Sequence, residues 1–281
     1  MTYRVERVAW YEPGVEHGNP VVNSRFRVNA PEAALNPEFA ARDEVRGNGL
    51  LQICIDDDLR QIEAAALQIV HWGGHPGTAN KRVTVNGRTT YPLPETGTAA
   101  GHCTHGSPVI DLAITDLVAS YNALQFACDQ GTSFWGHFIV DDAALRLTLQ
   151  PDHPVLTSTG LDQLTAAVAV VPIDDERVRL QLITDDVAAI ASVTYIATYE
   201  GYDENGNGLA YDAHGFIKNR GWLATAGQAT QPPFQAVWDR TMLPACDAVS
   251  VEAIVTLHHH PDLAIITDPV AAPPIVRQGV Q

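Results

Sequence analysis

The sequence predicts an all-β chain folded as two β-sandwich domains. Three observations carry this expectation. β-Branched and aromatic runs recur along the 281 residues, glycine and proline interrupt them about every ten residues, and several runs alternate apolar with polar positions.

The runs that read as strands in the first half are Tyr3–Tyr11, Val21–Val28, Leu50–Ile55, Lys81–Val85, Val109–Ile114, Ala123–Cys128, Phe134–Val140 and Ala144–Leu149. Those in the second half are Leu164–Val171, Val178–Thr184, Val193–Tyr199, Phe234–Trp238, Val249–Leu257 and Leu263–Thr267. Val249, Val251, Ala253, Val255 and Leu257 share one face of an alternating strand. One segment departs from the pattern. Leu59, Ile62, Ala66, Ile69 and Val70 follow a helical period behind three aspartates suited to capping, so Leu59–Val70 reads either as a helix or as a strand over Ala65–Trp72.

The polar, two-proline segment from Gln150 to Gly160 separates two strand-rich blocks. It places domains at residues 1–150 and 164–281, with residues 151–163 between them.

The composition limits the partners. A chain with 46% hydrophobic and 18% charged residues can fill two cores and is not a disordered one. A net charge of −16 repels phosphate backbones and anionic lipid, which excludes nucleic acid and membrane surfaces as partners and leaves neutral ligands and cations. Residues after Gln150 carry 16 acids against 6 bases, so the second half is the better cation binder. No run reaches the ~20 apolar residues of a membrane span, and the charged N-terminus lacks a secretory core, so the expected setting is either cytoplasmic or, for a processed chain, extracellular. Cys54, Cys103, Cys128 and Cys246 are even in number but irregularly spaced and without a CxxC pair, which favours buried free thiols over two disulfides.

The sharpest local motif is Asp203-Glu-Asn-Gly-Asn-Gly208. Calcium loops place oxygen donors at positions 1, 3 and 5, a glycine at 6 and a backbone carbonyl at 7. Asp203, Asn205, Asn207, Gly208 and Leu209 meet that order, and Asp212 offers a further oxygen. Position 12 is His214 rather than a bidentate glutamate, so the segment reads equally as a modest Ca2+ site or as a plain hairpin turn.

Val83–Tyr91 (VTVNGRTTY), the later Ile110–Leu112 strand, a Tyr-Asn turn and NALQF at Asn122–Phe126 together resemble galactose-binding-like jelly rolls over roughly Gly49 to Leu149. The block from Leu164 to Asp268 resembles, more loosely, an immunoglobulin-like or fibronectin-like accessory domain. The resemblance implies an N-terminal jelly roll that binds carbohydrate, a C-terminal immunoglobulin-like sandwich, and an extracellular setting in polysaccharide processing.

In such sandwiches aromatic rings stack on pyranose faces while polar side chains bond the hydroxyls. The candidates here are Trp72, His75, Asn86, His102, His105, Trp135 and His137. Alternation puts Trp135 and His137 on the face of their strand opposite Phe134 and Phe138. The close histidine pairs His71/His75 and His102/His105, beside Cys103, also suit a transition metal, although no HExxH-type spacing occurs. The run His258–His260 reads as a solvated strand end. Asp56–Asp58 and Asp141–Asp142 supply the paired carboxylates glycosidases use, but neighbouring aspartates on a strand end point to opposite sides and are expected to be solvated.

Carbohydrate binding is therefore the leading expectation. A glycan hydrolase or lyase, or a histidine-metal enzyme, is the rival, and a β-rich assembly protein is a third reading.

Overall fold

A computed structural model describes residues 3–11, 26–28, 50–73, 78–93, 105–106, 108–129, 138–199, 225–241, 243 and 245–277. Among these the strands are β1 (Tyr3–Trp10), β2 (Phe26–Val28), β3 (Leu50–Ile55), β4 (Ile62–Trp72), β5 (Ala79–Val85), β6 (Thr89–Pro92), β7 (His105–Gly106), β8 (Val109–Leu112), β9 (Ser120–Asp129) and β10 (Phe138–Leu149). After a short helix, α1 (Pro154–Thr159), come β11 (Ala166–Pro172), β12 (Arg177–Thr184), β13 (Ile190–Tyr199), β14 (Thr225–Ala229), β15 (Gln235–Asp239), β16 (Val249–Leu257), β17 (Leu263–Thr267) and β18 (Val270–Ala271). The chain is an all-β sandwich protein, as its alternating runs predict.

One long antiparallel sheet runs through both halves in the order β14-β13-β16-β17-β1-β10-β4-β7, with β18 on β16, β2 on β10 and β8 on β4. Two short sheets cover the same face of it. The sheet β3-β9-β5-β6 covers the first half and β11-β12-β15 covers the second. The join is β1, which pairs with β10 on one edge and β17 on the other, with Glu6 opposite both Thr148 and Ala264.

The covered face carries the main core. Leu67, Ile69, Ala143 and Leu145 of the long sheet meet Ile53, Val83 and Phe126 of the first short sheet, and Tyr195 and Val255 meet Val178 and Leu180 of the second. Each such aliphatic or aromatic side chain removed from water contributes roughly 1.5–3 kcal/mol. The opposite face of the long sheet holds a smaller cluster of Ile196, Ile254, Ala264 and Ile266, with Val8 against it.

The segment Leu59–Val70 is not a helix. A single 3-10 turn at Leu59–Gln61, capped by Asp58 accepting from the Arg60 amide, opens directly into β4. From Leu67 to Trp72 every residue of β4 is buried, Gln68 and His71 included, so both faces are covered and the period-two signal disappears. The expected strands Phe134–Val140 and Ala144–Leu149 join, in their described part, into the single strand β10, whose register against β4 shifts between Val140 and Asp142. That shift is a bulge, and it carries the two aspartates.

Residues 150–163 are more ordered than a polar linker. His153 caps α1 by accepting from the Val155 amide, Pro154 takes the first helical position, and Gly160 ends the helix at φ +75°. Leu156 and Leu161 join the core, and the Tyr3 hydroxyl donates to the Leu161 carbonyl. Nearby, Arg7 of β1 pairs with Asp57 of the first half (Nε–Oδ2 2.6 Å) and with Asp262 of the second, while His153 Nε2 stands 3.9 Å from Asp57. Asp56 and Asp58 are exposed but Asp57 is buried, so the expectation of three solvated aspartates fails at its middle member. Its burial is matched by the Arg7 charge.

Candidate functional site

At the end of the first sandwich where β4 finishes, β10 begins and β5 starts, two of the residues singled out by sequence, Trp72 and His105, lie on neighbouring strands. Ile139 of β10 lies opposite Trp72 of β4, and Trp72 lies opposite His105 of β7, so three neighbouring strands meet there in one row. His75 follows the described Gly73 by two residues, and His137 immediately precedes Phe138. His75, His102, Trp135 and His137 themselves lie outside the described residues, as do Asp203, Asn205, Asn207, Leu209 and Asp212 of the candidate calcium loop.

Of what lines this end, the sequence points to His71, Asp141 and Asp142 but not to Lys81, and gives no sign that they are buried. His71, Lys81, Asp141 and Asp142 are all buried, in a region otherwise built of Phe138, Val140, Cys128 and Tyr11. Lys81 reaches inward from the short sheet and its Nζ donates to the Gly73 carbonyl at 3.0 Å, which ties the start of β5 to the end of β4. His71 lies opposite Val140 with its ring edge-on to Phe138, centroids 6.4 Å apart. Asp142 accepts from the Ala143 amide at 2.9 Å across the bulge. The expectation that Asp141 and Asp142 are solvated is overturned, because β10 is an interior strand covered on both faces rather than a strand end. Burial also pushes the Cys128 thiol up to about 11, so it is a protonated packing group at neutral pH. Cys54, Cys128 and Cys246 are free thiols.

Two candidates in the described part serve other ends. Trp72 is only 3% exposed, so its ring is packed into the protein rather than presented as a stacking surface. Asn86 holds a tight hairpin between β5 and β6. Asn86 and Gly87 sit at φ +50° and +65°, and Arg88 N donates to the Val85 carbonyl at 2.9 Å, the primed-turn geometry that an Asn-Gly pair favours. The Asn86 amide donates to Asn122 Oδ1 and the Asp116 carbonyl, both at 2.8 Å, and its oxygen accepts from the Ala123 amide at 2.8 Å. Beside this turn, the Tyr91 hydroxyl donates to Asp116 Oδ2 at 2.6 Å, which holds the Asp116 carboxyl below its ordinary range. Three protein bonds on one carboxamide fix a turn. His258 and His259 are exposed at the end of β16, in keeping with a solvated strand end.

Among the described residues no group of three or more histidine, cysteine or carboxylate side chains is arranged to hold a metal ion. No described helix is long and apolar enough to cross a membrane.

A concave feature lies in the other half. A groove of about 740 Å³ is bounded by Pro172, by Asp174–Glu176, by Arg240 and by the segment Pro273–Arg277. Its two arginines were not singled out by sequence, because neither sits in a motif and their proximity depends on the return of the C-terminal segment across β15.

No family model matches the chain, and no curated protein matches it in sequence. Solved structures with some likeness include the glycoside hydrolase domain of Endo-D from Streptococcus pneumoniae R6 (TM-score 0.31, 4% identity, 79% of this chain and 30% of that one). They also include an FMN-binding β-glucuronidase from Facaelibacterium prausnitzii L2-6 (0.26, 12%, 89% and 39%) and a β-glycosidase from Bacteroides vulgatus (0.22, 11%, 96% and 33%). The chain thus spans well under half the length of each.

Proposed function

We propose that the chain binds carbohydrate at the end of the first sandwich where β4, β7 and β10 meet. The observation that carries this reading is the burial of His71, Lys81, Asp141 and Asp142 at that one end; in the sequence His75 follows β4, His102 precedes β7, and Trp135 and His137 precede β10. Buried ionisable groups are costly, and they concentrate where a site needs fixed donors and acceptors. Carboxylate acceptors together with lysine and histidine donors suit the mixed demands of sugar hydroxyls, and a tryptophan supplies the apolar face for a ring. The net charge of −16 favours a neutral or weakly charged glycan. The same reading makes the first half a jelly-roll carbohydrate-binding module and the second an immunoglobulin-like accessory domain in an extracellular setting. Calcium at Asp203, Asn205, Asn207, Leu209 and Asp212 would stiffen that second domain; its test is a rise in Tm on adding calcium that Asp203→Ala abolishes and Glu204→Ala keeps.

Titration with a panel of neutral oligosaccharides tests the main reading. Saturable binding that Trp135→Ala weakens by ~1–3 kcal/mol with little change in Tm supports it. Failure of every glycan to saturate sinks it. One observation favours a second reading: Asp141 and Asp142 are adjacent carboxylates buried together, which is the equipment of glycoside hydrolysis. Release of reducing sugar that Asp141→Asn or Asp142→Asn abolishes would make the chain an enzyme. Binding without turnover would leave it a binding module.

A further inference from the structure

We propose that the groove between Arg240 and Arg277 is a second, separate binding site, for a small ligand bearing one carboxylate on an apolar body. Arg240 follows β15 and is 2% exposed. Its backbone amide donates to the Glu176 carbonyl at 2.8 Å, its Nη1 to the Pro273 carbonyl at 2.6 Å and its Nη2 to the Asp175 carbonyl at 3.2 Å. Its Nε is buried without a hydrogen-bond partner. Arg277 comes in beside it. The Arg277 Nε donates to the Leu243 carbonyl at 2.9 Å, Nη2 donates to the Arg240 carbonyl, and Nη1 lies 3.4 Å from the Val276 carbonyl.

Among the described residues every hydrogen-bond partner of these two guanidinium groups is thus a neutral carbonyl. Neither arginine has a carboxylate within ion-pairing distance among the described residues, although the chain carries 16 more acids than bases. The nearest acid of consequence, Asp174, is engaged by Arg177 through bonds of 2.9 and 2.6 Å. The Trp238 ring lies 5.8 Å from the Arg240 guanidinium and offsets part of its charge. Burial, and then the adjacent Arg277 charge, nevertheless pull the Arg240 guanidinium below its ordinary value. Two cations held side by side by neutral groups are stabilised by an anion that accepts from both, and the planar fork of arginine matches a carboxylate.

The walls set the rest of the ligand. Pro172, Pro273, Pro274 and the exposed Val276 present apolar surface, which fits a carbon skeleton. Asp175 and Glu176 on the rim are exposed and repel a second negative charge, which selects a monocarboxylate over phosphate. This site does not depend on the carbohydrate reading of the first sandwich.

The test is calorimetric titration of the full chain at low ionic strength with benzoate, N-acetyl-leucine and glucuronate, using benzamide and inorganic phosphate as controls. Saturable binding of at least one carboxylate is expected, with benzamide and phosphate at least about tenfold weaker. Benzoate and N-acetyl-leucine should bind more tightly than glucuronate, and tighter binding of glucuronate would overturn the match to the proline and valine walls. Arg277→Gln should lower the affinity about tenfold and Arg277→Lys by less, each with a Tm near wild type. Arg60→Gln, which removes an equal charge at a distant exposed position, should leave it unchanged. The proposal is overturned if no carboxylate saturates, if benzamide binds as tightly as benzoate, or if Arg277→Gln binds like Arg60→Gln.

Discussion

Arg146 and Glu6 form a doubly bonded ion pair across β10 and β1, with Nε–Oε2 at 2.6 Å and Nη2–Oε1 at 3.0 Å. Both side chains are buried, and they lie on the face of the long sheet away from the main core, at the strand that joins the two halves. Arg4 adds a second contact to Glu6 at 2.7 Å but is 39% exposed, so water screens most of its contribution. Removing one member of the buried pair strands the other charge. Glu6→Gln or Arg146→Met alone should therefore lower stability by about 3–5 kcal/mol in chemical denaturation. Glu6→Leu combined with Arg146→Met should recover most of that loss, because an apolar pair of similar volume needs no compensation. A single variant that costs under ~1 kcal/mol would mean that the pair is hydrated.

Glu252 on β16 shares this face, and Arg4 lies 4.0 Å from it. Burial is the first cause that raises its carboxyl above the ordinary 4.5, and the charge of Glu6 adds to it against the pull of Arg4 and Arg146. Between 4.5 and its raised folded value the folded state therefore holds a proton that the unfolded state has released, so this group's contribution is fully present below 4.5 and is lost as pH rises through the folded value. Glu252→Gln should raise Tm relative to wild type at pH 7, and the advantage should vanish below about pH 4.5. An advantage that persists unchanged in acid would assign it to packing instead.

β1 hydrogen-bonds to strands on both sides of residues 151–163, and Arg7 reaches Asp57 on one side and Asp262 on the other. Cleavage engineered between Pro154 and Gly160 should give two fragments that stay together in gel filtration and separate only in denaturant. Fragments that elute apart while each remains folded would show that β1 binds one side only.

The sequence showed the strands best where one face meets water. Val249–Leu257 alternates because Ser250, Glu252 and Thr256 occupy its far face, and β16 has the expected bounds. Legibility failed in the middle of the long sheet. There β4 and β10 are buried on both sides, so Leu59–Val70 mimicked a helix and Asp141–Asp142 looked like a solvated end. The turn at Asn86-Gly87 was marked by its dipeptide, yet the side-chain bonds that commit Asn86 come from residues 30 and 36 positions away. Arg240 and Arg277 are 37 residues apart, and nothing in their local sequence announces that they meet. Local pattern reports the environment of a strand; a site assembled from distant strands leaves no local pattern to read.

The closure of the second sandwich offers the sharpest steric test. At the β14–β15 corner the long sheet comes so close to the short one that a Cβ placed on Gly227 would lie 2.6 Å from the Ala236 Cβ. Carbon atoms of residues not bonded to one another do not sit at that distance, and the obstructing atom is fixed to the backbone of β15 rather than borne on a flexible side chain. Gly227→Ala must therefore push β14 and β15 apart, and β15 holds its place by pairing with β12 from Gln181↔Gln235 to Arg177↔Asp239. The expected cost is about 1–3 kcal/mol, the range for overfilling a packed interior. Ala236→Gly removes the obstructing methyl, at a cost of roughly 0.5–1 kcal/mol for glycine within a strand. The double variant Gly227→Ala/Ala236→Gly should therefore be more stable than Gly227→Ala alone, with a favourable coupling of at least ~0.5 kcal/mol in a double-mutant cycle. Strictly additive losses would show that the two positions do not touch and that the corner is wider than the structure gives it.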